Sequence, residues 1–303
     1  MTATSAAAAV LLLCPGAFTS AAASAERGAE DASAPAGERA GMPGRIVSLA
    51  PSITETLFAI GLGERVVGVT SFCDYPEEAS AIPGVGGFFD SNLEAVAVLE
   101  PDLVITLPGH ESVRDGLEEL AIDVMTVRNE SVGDILESIE LIGKRCGAGE
   151  RAGALADSLR RRIERVADGV DPESRPRVLV CVSREYGTTP GAVYAAGAAT
   201  FYGELVEAAG GVNAVEQRSP YYPLLSTEGL IHLAPDVILE IVPEKVRKGL
   251  ESRSPSADWK GLEAVPAVRD GRIHVLSEGY AVIPGPRFVL LLERIASILR
   301  SYD

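Results

Sequence analysis

Aromatic residues make up only 5% of this 303-residue chain: 7 Phe, 8 Tyr and 1 Trp. Rings this scarce leave the core to aliphatic side chains and make the position of each ring informative. Basic residues are also in deficit. The 27 Lys and Arg face 43 Asp and Glu, for a formal net charge of −16. That charge repels nucleic acid and anionic membrane surfaces and excludes functions built on binding either. It favours solubility, or a basic protein partner. The 4 cysteines, Cys14, Cys73, Cys146 and Cys181, are widely spaced and form no CxxC pair. If Cys14 is removed or lipidated, at most one disulfide can form with one thiol left over, so stability comes from the core. No Gly-x-x-x-x-Gly-Lys-Ser/Thr loop is present. Gly61-x-Gly63 lacks a third glycine and follows a helix instead of a strand, so nucleotide binding has no support. There is no Gly-x-Ser-x-Gly elbow, and His110, His232 and His274 lie far apart without a companion Cys or Ser, so hydrolase machinery is not visible. Against these absences stands a 47% hydrophobic content. It excludes disorder of the whole and suffices for two domains with real cores.

The run Ala6 to Leu13 is too short to span a bilayer, and Ala23-Ser24-Ala25 offers a small-x-small cleavage site. Residues 1–25 therefore read as a signal peptide, although no Lys or Arg precedes the run. Lipid modification of Cys14 is the alternative, but Leu13 stands where that signal has a small residue and Pro15 follows. Residues 26–43, rich in Ala, Gly, Ser, Glu and Pro, read as a disordered tether.

From Arg45 onward, short β-branched runs alternate with helical patterns, which predicts α/β units on mainly parallel sheets. Expected strands are Arg45 to Leu49, Val66 to Thr70, Asp102 to Leu107 and Val124 to Val127 in the first half. In the second they are Arg177 to Val182, Val193 to Ala196, Asp236 to Ile241 and Ile273 to Leu276. Between the halves, Ala152, Leu155, Leu159, Ile163 and Val166 mark one face of a long helix, ended by Pro172 and Pro176. The expected architecture is an α/β lobe at 44–148, a rigid linker helix at 149–170 and a second α/β lobe at 171–303, with a cleft between the lobes.

An internal repeat supports two related lobes. Glu94-Ala-Val-Ala-Val-Leu99-Glu-Pro101-Asp102-Leu-Val-Ile105 matches Glu228-Gly-Leu-Ile-His-Leu233-Ala-Pro235-Asp236-Val-Ile-Leu239 without a gap. Each copy is a short helix, a proline that stops it, an aspartate and a buried strand. Ser52-x-x-Glu55 and Ser91-x-x-Glu94 read as capping boxes, and Ser226 as the cap of the helix that carries Glu228. Capping alone would account for Glu94 and Glu228. One carboxylate on each lobe also makes a two-point docking surface for arginines of a two-fold partner.

Phe72, Phe88 and Phe89, Tyr194, Tyr221 and Tyr222, and Tyr280 fall mostly in loops and in both halves. They form a candidate wall for a flat or bulky ligand, with about half expected to pack as ordinary core. His110 follows a parallel strand and could be an axial ligand to a cobalt or iron chelate, but a simple exposed loop histidine is the preferred reading. Glu228 and His232 could share a metal, but a third ligand is not evident and a solvated helix face is preferred. No metal site is assigned.

The segments Arg45-Ile-Val-Ser-Leu-Ala-Pro51-Ser52-Ile-Thr-Glu55, Val66-Val-Gly-Val-Thr-Ser-Phe72-Cys73-Asp74-Tyr75-Pro76, Gly86-Gly87-Phe88, Asn92-Leu93-Glu94 and Pro101-Asp102-Leu-Val-Ile105 closely resemble the helical-backbone periplasmic binding proteins of ABC importers for corrinoids, haem and ferric siderophores. The resemblance runs from about Arg45 to Leu299 and thins in the second half to the repeat and Gly285-Pro286-Arg287. Cys73-Asp74-Tyr75-Pro76 and the loop into Asn92-Leu93-Glu94 look most like the cobalamin-binding branch. The resemblance implies a non-enzymatic, extracytoplasmic monomer without a cofactor of its own, its corrinoid held between the lobes and handed to a permease dimer. It implies that Glu94 and Glu228 dock onto permease arginines, and that Phe72, Phe88, Tyr194 and Tyr222 face the corrin. Leu107 stands where that branch has an aromatic, and the segment from Tyr280 to Pro284 lacks its acidic-basic pair. Backbone groups near Pro51 and Ser52 would meet polar amides of the ligand, and Tyr280 completes the expected wall. Haem or a ferric siderophore is the alternative cargo. A metal chelatase or tetrapyrrole-processing enzyme, with His110 and neighbouring carboxylates holding a metal, is the competing reading.

Overall fold

The computed structural model describes residues 41–88, 90–217, 219–243, 246, 248 and 255–302. The expected signal peptide, Cys14, residues 26–40 of the expected tether, and Phe89 lie outside the described residues. The last tether residues, 41–43, run onto the first lobe, where Pro43 is buried and its carbonyl accepts from Arg65 Nη1 at 3.4 Å.

The first lobe runs β1 (Ile46–Ser48), α1 (Pro51–Ala59), β2 (Val66–Val69), α2 (Leu93–Val98), β3 (Leu103–Thr106), α3 (Glu111–Glu119), β4 (Val124–Thr126) and α4 (Val132–Arg145). The sheet order is β2-β1-β3-β4, and every pairing is parallel. Ile46, Leu103 and Ile105 are buried on one face, and Val47 and Val104 on the other. Two buried faces are what a parallel sheet between helices requires, and they explain the continuous apolar runs in the sequence.

After the linker helix α5 (Gly149–Ala167), the second lobe runs β5 (Arg177–Arg184), β6 (Ala192–Ala195), α6 (Phe201–Ala208), β7 (Val212–Asn213), β8 (Leu224–Ser226), α7 (Thr227–Leu233), β9 (Val237–Ile241), α8 (Pro266–Arg269), β10 (Ile273–Leu276) and α9 (Phe288–Leu299). Its sheet order is β10-β9-β5-β6-β8, with β7 added to β5. β6 pairs antiparallel with both β5 and β8, while β9 with β5, β10 with β9 and β7 with β5 are parallel, so the sheet is mainly parallel, as expected, with an antiparallel edge. Strands of two or three residues, such as β7 and β8, are too short to carry a readable period.

The linker helix buries Ala152, Ala156, Leu159 and Val166. It approaches α4 so closely that a Cβ on Gly143 would lie 2.2 Å from the Cβ of Ala152. Arg162 holds α5 to α9 by donating from Nε and Nη2 to Glu293 at 2.9 and 2.7 Å. One apolar cluster passes from Ile46 through α4, α5 and α6 to Leu299, so the lobes share a core along the linker.

The repeat is structural as well as sequential. Asp102 Oδ2 accepts from the backbone N–H of Gly44 and Arg45, both at 2.9 Å, and the Arg45 guanidinium donates to the Leu99 carbonyl. In the second lobe Asp236 Oδ2 accepts from Arg177 N at 2.8 Å, and Arg177 Nε donates to the Leu233 carbonyl at 3.4 Å. Left-handed backbone falls at equivalent places, Glu100 (φ 44°) and Ala234 (φ 43°), and turns each helix into its proline. Each aspartate thus ties the start of one strand to the start of its neighbour.

The caps differ between the copies. Ser226 caps α7 as expected, accepting from Gly229 N at 3.2 Å. The cap of α2, however, is Asn92, whose Oδ1 accepts from Glu94 N at 3.0 Å and Ala95 N at 3.1 Å, while Ser91 Oγ donates back to Gly87. Glu94 is exposed and takes no part in a capping box. Nor is there a box at α1, where Pro51 occupies the first turn and Ala50 is the cap. Pro needs no N–H partner at that position. Ser52 and Glu55 are buried inside the helix instead.

Deep in the second lobe, Arg184 donates to Glu240 at 2.6 Å and to Asp258 at 2.9 Å, with all three side chains nearly or wholly excluded from water. Trp259 Nε1 donates to the other Glu240 oxygen at 3.1 Å. This network fastens the turn Pro255–Trp259 to β5 and β9. Cys73, Cys146 and Cys181 are buried free thiols.

Candidate functional site

A cavity of about 220 Å³ opens between the lobes. The first lobe contributes Arg128 to Ser131 and Asp134, where the chain leaves β4 and enters α4. The second contributes Ala199 to Tyr202 at the start of α6, together with Tyr221, Tyr222 and Pro284. Loops beyond the carboxyl ends of parallel strands form the ligand crevice of open α/β sheets, and β4 and β10 both deliver such loops here. Behind this cavity a recess of about 10 Å³ shares Arg128, Asn129 and Pro284 with it and is otherwise bordered by polar Ser52, Thr56 and Ser138, by Gly285, and by apolar Ile53, Leu107, Val127, Ile135 and Ile142. A larger groove of about 690 Å³ follows the linker between α1, α5 and α9. It gathers flanks of α1, α5 and α9 together with Tyr75, Pro76 and Glu78 from the loop after β2 and Pro286 and Arg287 from the loop after β10.

The cavity walls are held rigidly. Ser131 and Asp134 form a reciprocal capping box at α4, with both bonds at 3.0 Å. Ser138 Oγ accepts from Arg128 N at 3.1 Å and donates to the Arg128 carbonyl. Across the cleft Thr200 Oγ1 caps α6 by accepting from Gly203 N at 3.1 Å, and Tyr202 OH donates to the Ala281 carbonyl at 2.9 Å.

Two carboxylates bridge the lobes. Glu204 on α6 accepts from Val132 N at 2.7 Å, at the amino end of α4, where the helix dipole favours negative charge. Glu55 on α1 accepts from Arg287 Nε and Nη2 at 2.9 and 2.6 Å. The Arg287 guanidinium also lies 3.6 Å from the centre of the Tyr75 ring. Burial pushes the Glu55 carboxyl above the ordinary carboxylate range, and Arg287 pulls it back down. Gly285 lets this strap pass close to α1, because a Cβ there would sit 3.1 Å from Ser52 Cα.

The sequence profile of the periplasmic binding protein family matches residues 46–278. The chain belongs to that family. This periplasmic binding protein is 30% identical over 265 residues to an uncharacterized ABC transporter substrate-binding lipoprotein, YvrC, of Bacillus subtilis (strain 168), a match that covers 84% of this chain and 79% of the relative. It is 26% identical over 264 residues to a vitamin B12-binding protein of Pectobacterium carotovorum subsp. carotovorum (strain PC1), covering 86% and 90% of the two chains. Among solved structures, the periplasmic heme-binding protein RhuT of Roseiflexus sp. RS-1 in apo form superposes with a TM-score of 0.72 at 28% identity, covering 85% of this chain and 98% of that one.

In this periplasmic binding protein the residues expected to form the ligand wall are not gathered in one place. Tyr222 lines the cavity, and Ser52 and Leu107 border the recess. Pro51 is buried at the start of α1. Phe72, Tyr194 and Tyr280 are partly buried against the main core and border neither space. Phe88 is buried with its ring edge-on to His110 at 4.5 Å. His110 is not the exposed loop histidine expected. It is 3% exposed, paired through Nδ1 with Thr106 Oγ1 at 2.6 Å, and burial lowers its pKa. Among the described residues no group of three His, Cys, Asp or Glu is placed to hold a metal, and the Glu228 and His232 side chains are exposed on α7. Glu94 and Glu228 are both exposed, each in the first turn of its helix. Among the described residues no helix is long and apolar enough to cross a membrane.

The loop Arg128–Ser131, the start of α6, and the Glu55–Arg287 strap escaped the sequence reading. One signal was available. Arg128 to Glu130 follow β4 as His110 follows β3, and loops at the carboxyl ends of parallel strands line the ligand crevice of open sheets.

Proposed function

We propose that this periplasmic binding protein captures a corrinoid in the cleft between its lobes and delivers it to the permease of an ABC importer. The observation that carries this reading is the interlobe cavity, with Tyr221 and Tyr222 facing a polar loop of the opposite lobe. Rings that are apolar on their faces and polar at one tip suit a bulky ligand with a polar rim. The vitamin B12-binding relative supports the ligand class, and the ABC transporter relative supports the partner.

A cavity of about 220 Å³ is smaller than the roughly 300 Å³ at which drug-sized sites begin. A macrocycle therefore enters only when the lobes separate, which breaks the Glu204–Val132 and Glu55–Arg287 contacts. The linker helix limits that separation. Exposed Glu94 and Glu228, one per lobe in matching helices, would meet basic groups of a two-fold permease. Among the described residues of the cleft none is arranged as a nucleophile with its base, which favours carriage over chemistry.

Haem is the second reading, favoured by the cavity tyrosines, since a tyrosine oxygen can ligate haem iron. Calorimetric titration of the purified protein with cyanocobalamin, haemin and ferrioxamine B separates the cargoes. Stoichiometric binding of cyanocobalamin supports the corrinoid assignment, and binding of haemin or ferrioxamine B without cyanocobalamin overturns it.

A further inference from the structure

The amide of Asn129 sits where the cavity meets the recess and is only 5% exposed. Its Nδ2 donates to Ser52 Oγ at 3.3 Å. Its Oδ1 is buried with no hydrogen-bond partner among the described residues. A buried carbonyl without a donor is uncommon in a folded protein and calls for an explanation. The recess beside it, at about 10 Å³, has room for a single water-sized group.

The charges around it point the same way. Arg128 is the cation among the cavity-lining residues, and its Nη2 contacts Glu130 at 2.7 Å while its Nε lies 3.6 Å from Asp134. One guanidinium thus faces two carboxylates, and among the described residues that line the cavity no other cation stands to meet a ligand carboxylate. An N–H donor meets a waiting carbonyl and two acids. Resting on the interlobe cleft as the ligand site, we propose that Asn129 Oδ1 accepts a hydrogen bond from a primary or secondary amide N–H of the cargo. The recess takes the end of that amide arm, so the cleft selects amide-bearing ligands over ligands whose polar arms are carboxylates.

The test compares wild type, Asn129→Leu and Asn129→Asp for binding of cyanocobalamin and ferrioxamine B, which carry amide N–H groups, and of haemin, which carries carboxylates. Melting of the unliganded proteins is followed alongside. The expected result is an amide-bearing ligand bound by wild type in preference to haemin and weakened about 5- to 10-fold or more in Asn129→Leu. Asn129→Asp, which keeps an acceptor at that atom and lets Ser52 turn its hydroxyl, retains most of the affinity. Unliganded Asn129→Leu melts within about 2 °C of wild type, because the lost group had one weak bond. Equal losses in the Leu and Asp variants, unchanged affinity in both, or a preference for haemin overturns the proposal. Ferrioxamine B bound and weakened by Asn129→Leu while cyanocobalamin does not bind would uphold Asn129 and sink the corrinoid assignment alone.

Discussion

Glu55 and Arg287, 232 residues apart in the chain, form a two-bond ion pair that ties the first helix of one lobe to the loop entering the last helix of the other. The carboxylate side chain is 2% exposed and the guanidinium 19%. The carboxylate depends on the guanidinium, which stays charged by itself, to remain ionised so far from water.

Arg287→Met leaves Glu55 buried and unpaired, with an expected loss of about 3 kcal/mol near neutral pH. The pH dependence gives the sharper test. The Glu55 carboxyl is already raised by burial, and removal of Arg287 raises it further. A raised carboxyl contributes stability below its unfolded value, about 4.3, and loses that contribution as pH rises through the folded value. The deficit of the variant is therefore small near pH 4 and largest at pH 7 to 8. Thermal melts across that range check this, and a deficit independent of pH contradicts it.

Glu204→Ala removes the acceptor that the second lobe offers to the first turn of α4. Loss of such a contact costs about 1 kcal/mol. Because the contact crosses the cleft, the variant should also be more open. Small-angle scattering is expected to give a larger radius of gyration than wild type, and an unchanged radius with lowered stability would reduce Glu204 to a helix cap.

The division of labour around α2 predicts opposite outcomes for two neighbours. Asn92→Ala should lower stability by about 1 kcal/mol, because Asn92 supplies the cap. Glu94→Ala should stay within about 0.5 kcal/mol of wild type, since the side chain is exposed and caps nothing. The double variant Glu94→Ala with Glu228→Ala should bind cargo normally and fail in uptake through the cognate permease. Lost cargo affinity in that variant would contradict the docking role.

Cys73, Cys146 and Cys181 are buried, and burial pushes each thiol above its ordinary range. Only the thiolate reacts, so none of the three should react with a water-soluble disulfide reagent at pH 8 in the native protein. All three should react after unfolding in denaturant. Rapid native labelling of any of them would contradict the packing described.

Local patterns in the sequence marked the strands, the linker helix and the repeat, because each depends on residues a few positions apart. Asp102 and Asp236 were visible as a pair, and each makes the same bond to the neighbouring strand. The site was less legible. Glu55 looked like a capping residue because Ser52 stands three positions before it, and only the fold brings Arg287 to it. The aromatics were found in loops, but nothing local separates Tyr222, which faces the cavity, from Phe88, which folds back onto His110. Asn129 carries no motif, and its unmatched carbonyl exists only once α1, β4 and the Pro284 loop have met.

The most direct measurement is a crystal structure of the protein grown with cyanocobalamin. The account predicts one corrinoid between the lobes, in contact with Tyr222, Pro284 and Asn129, with the Glu204–Val132 contact broken and the cavity widened. A corrinoid seated in the groove along α5, or lobes that bind none at all while calorimetry shows haemin bound, would contradict it.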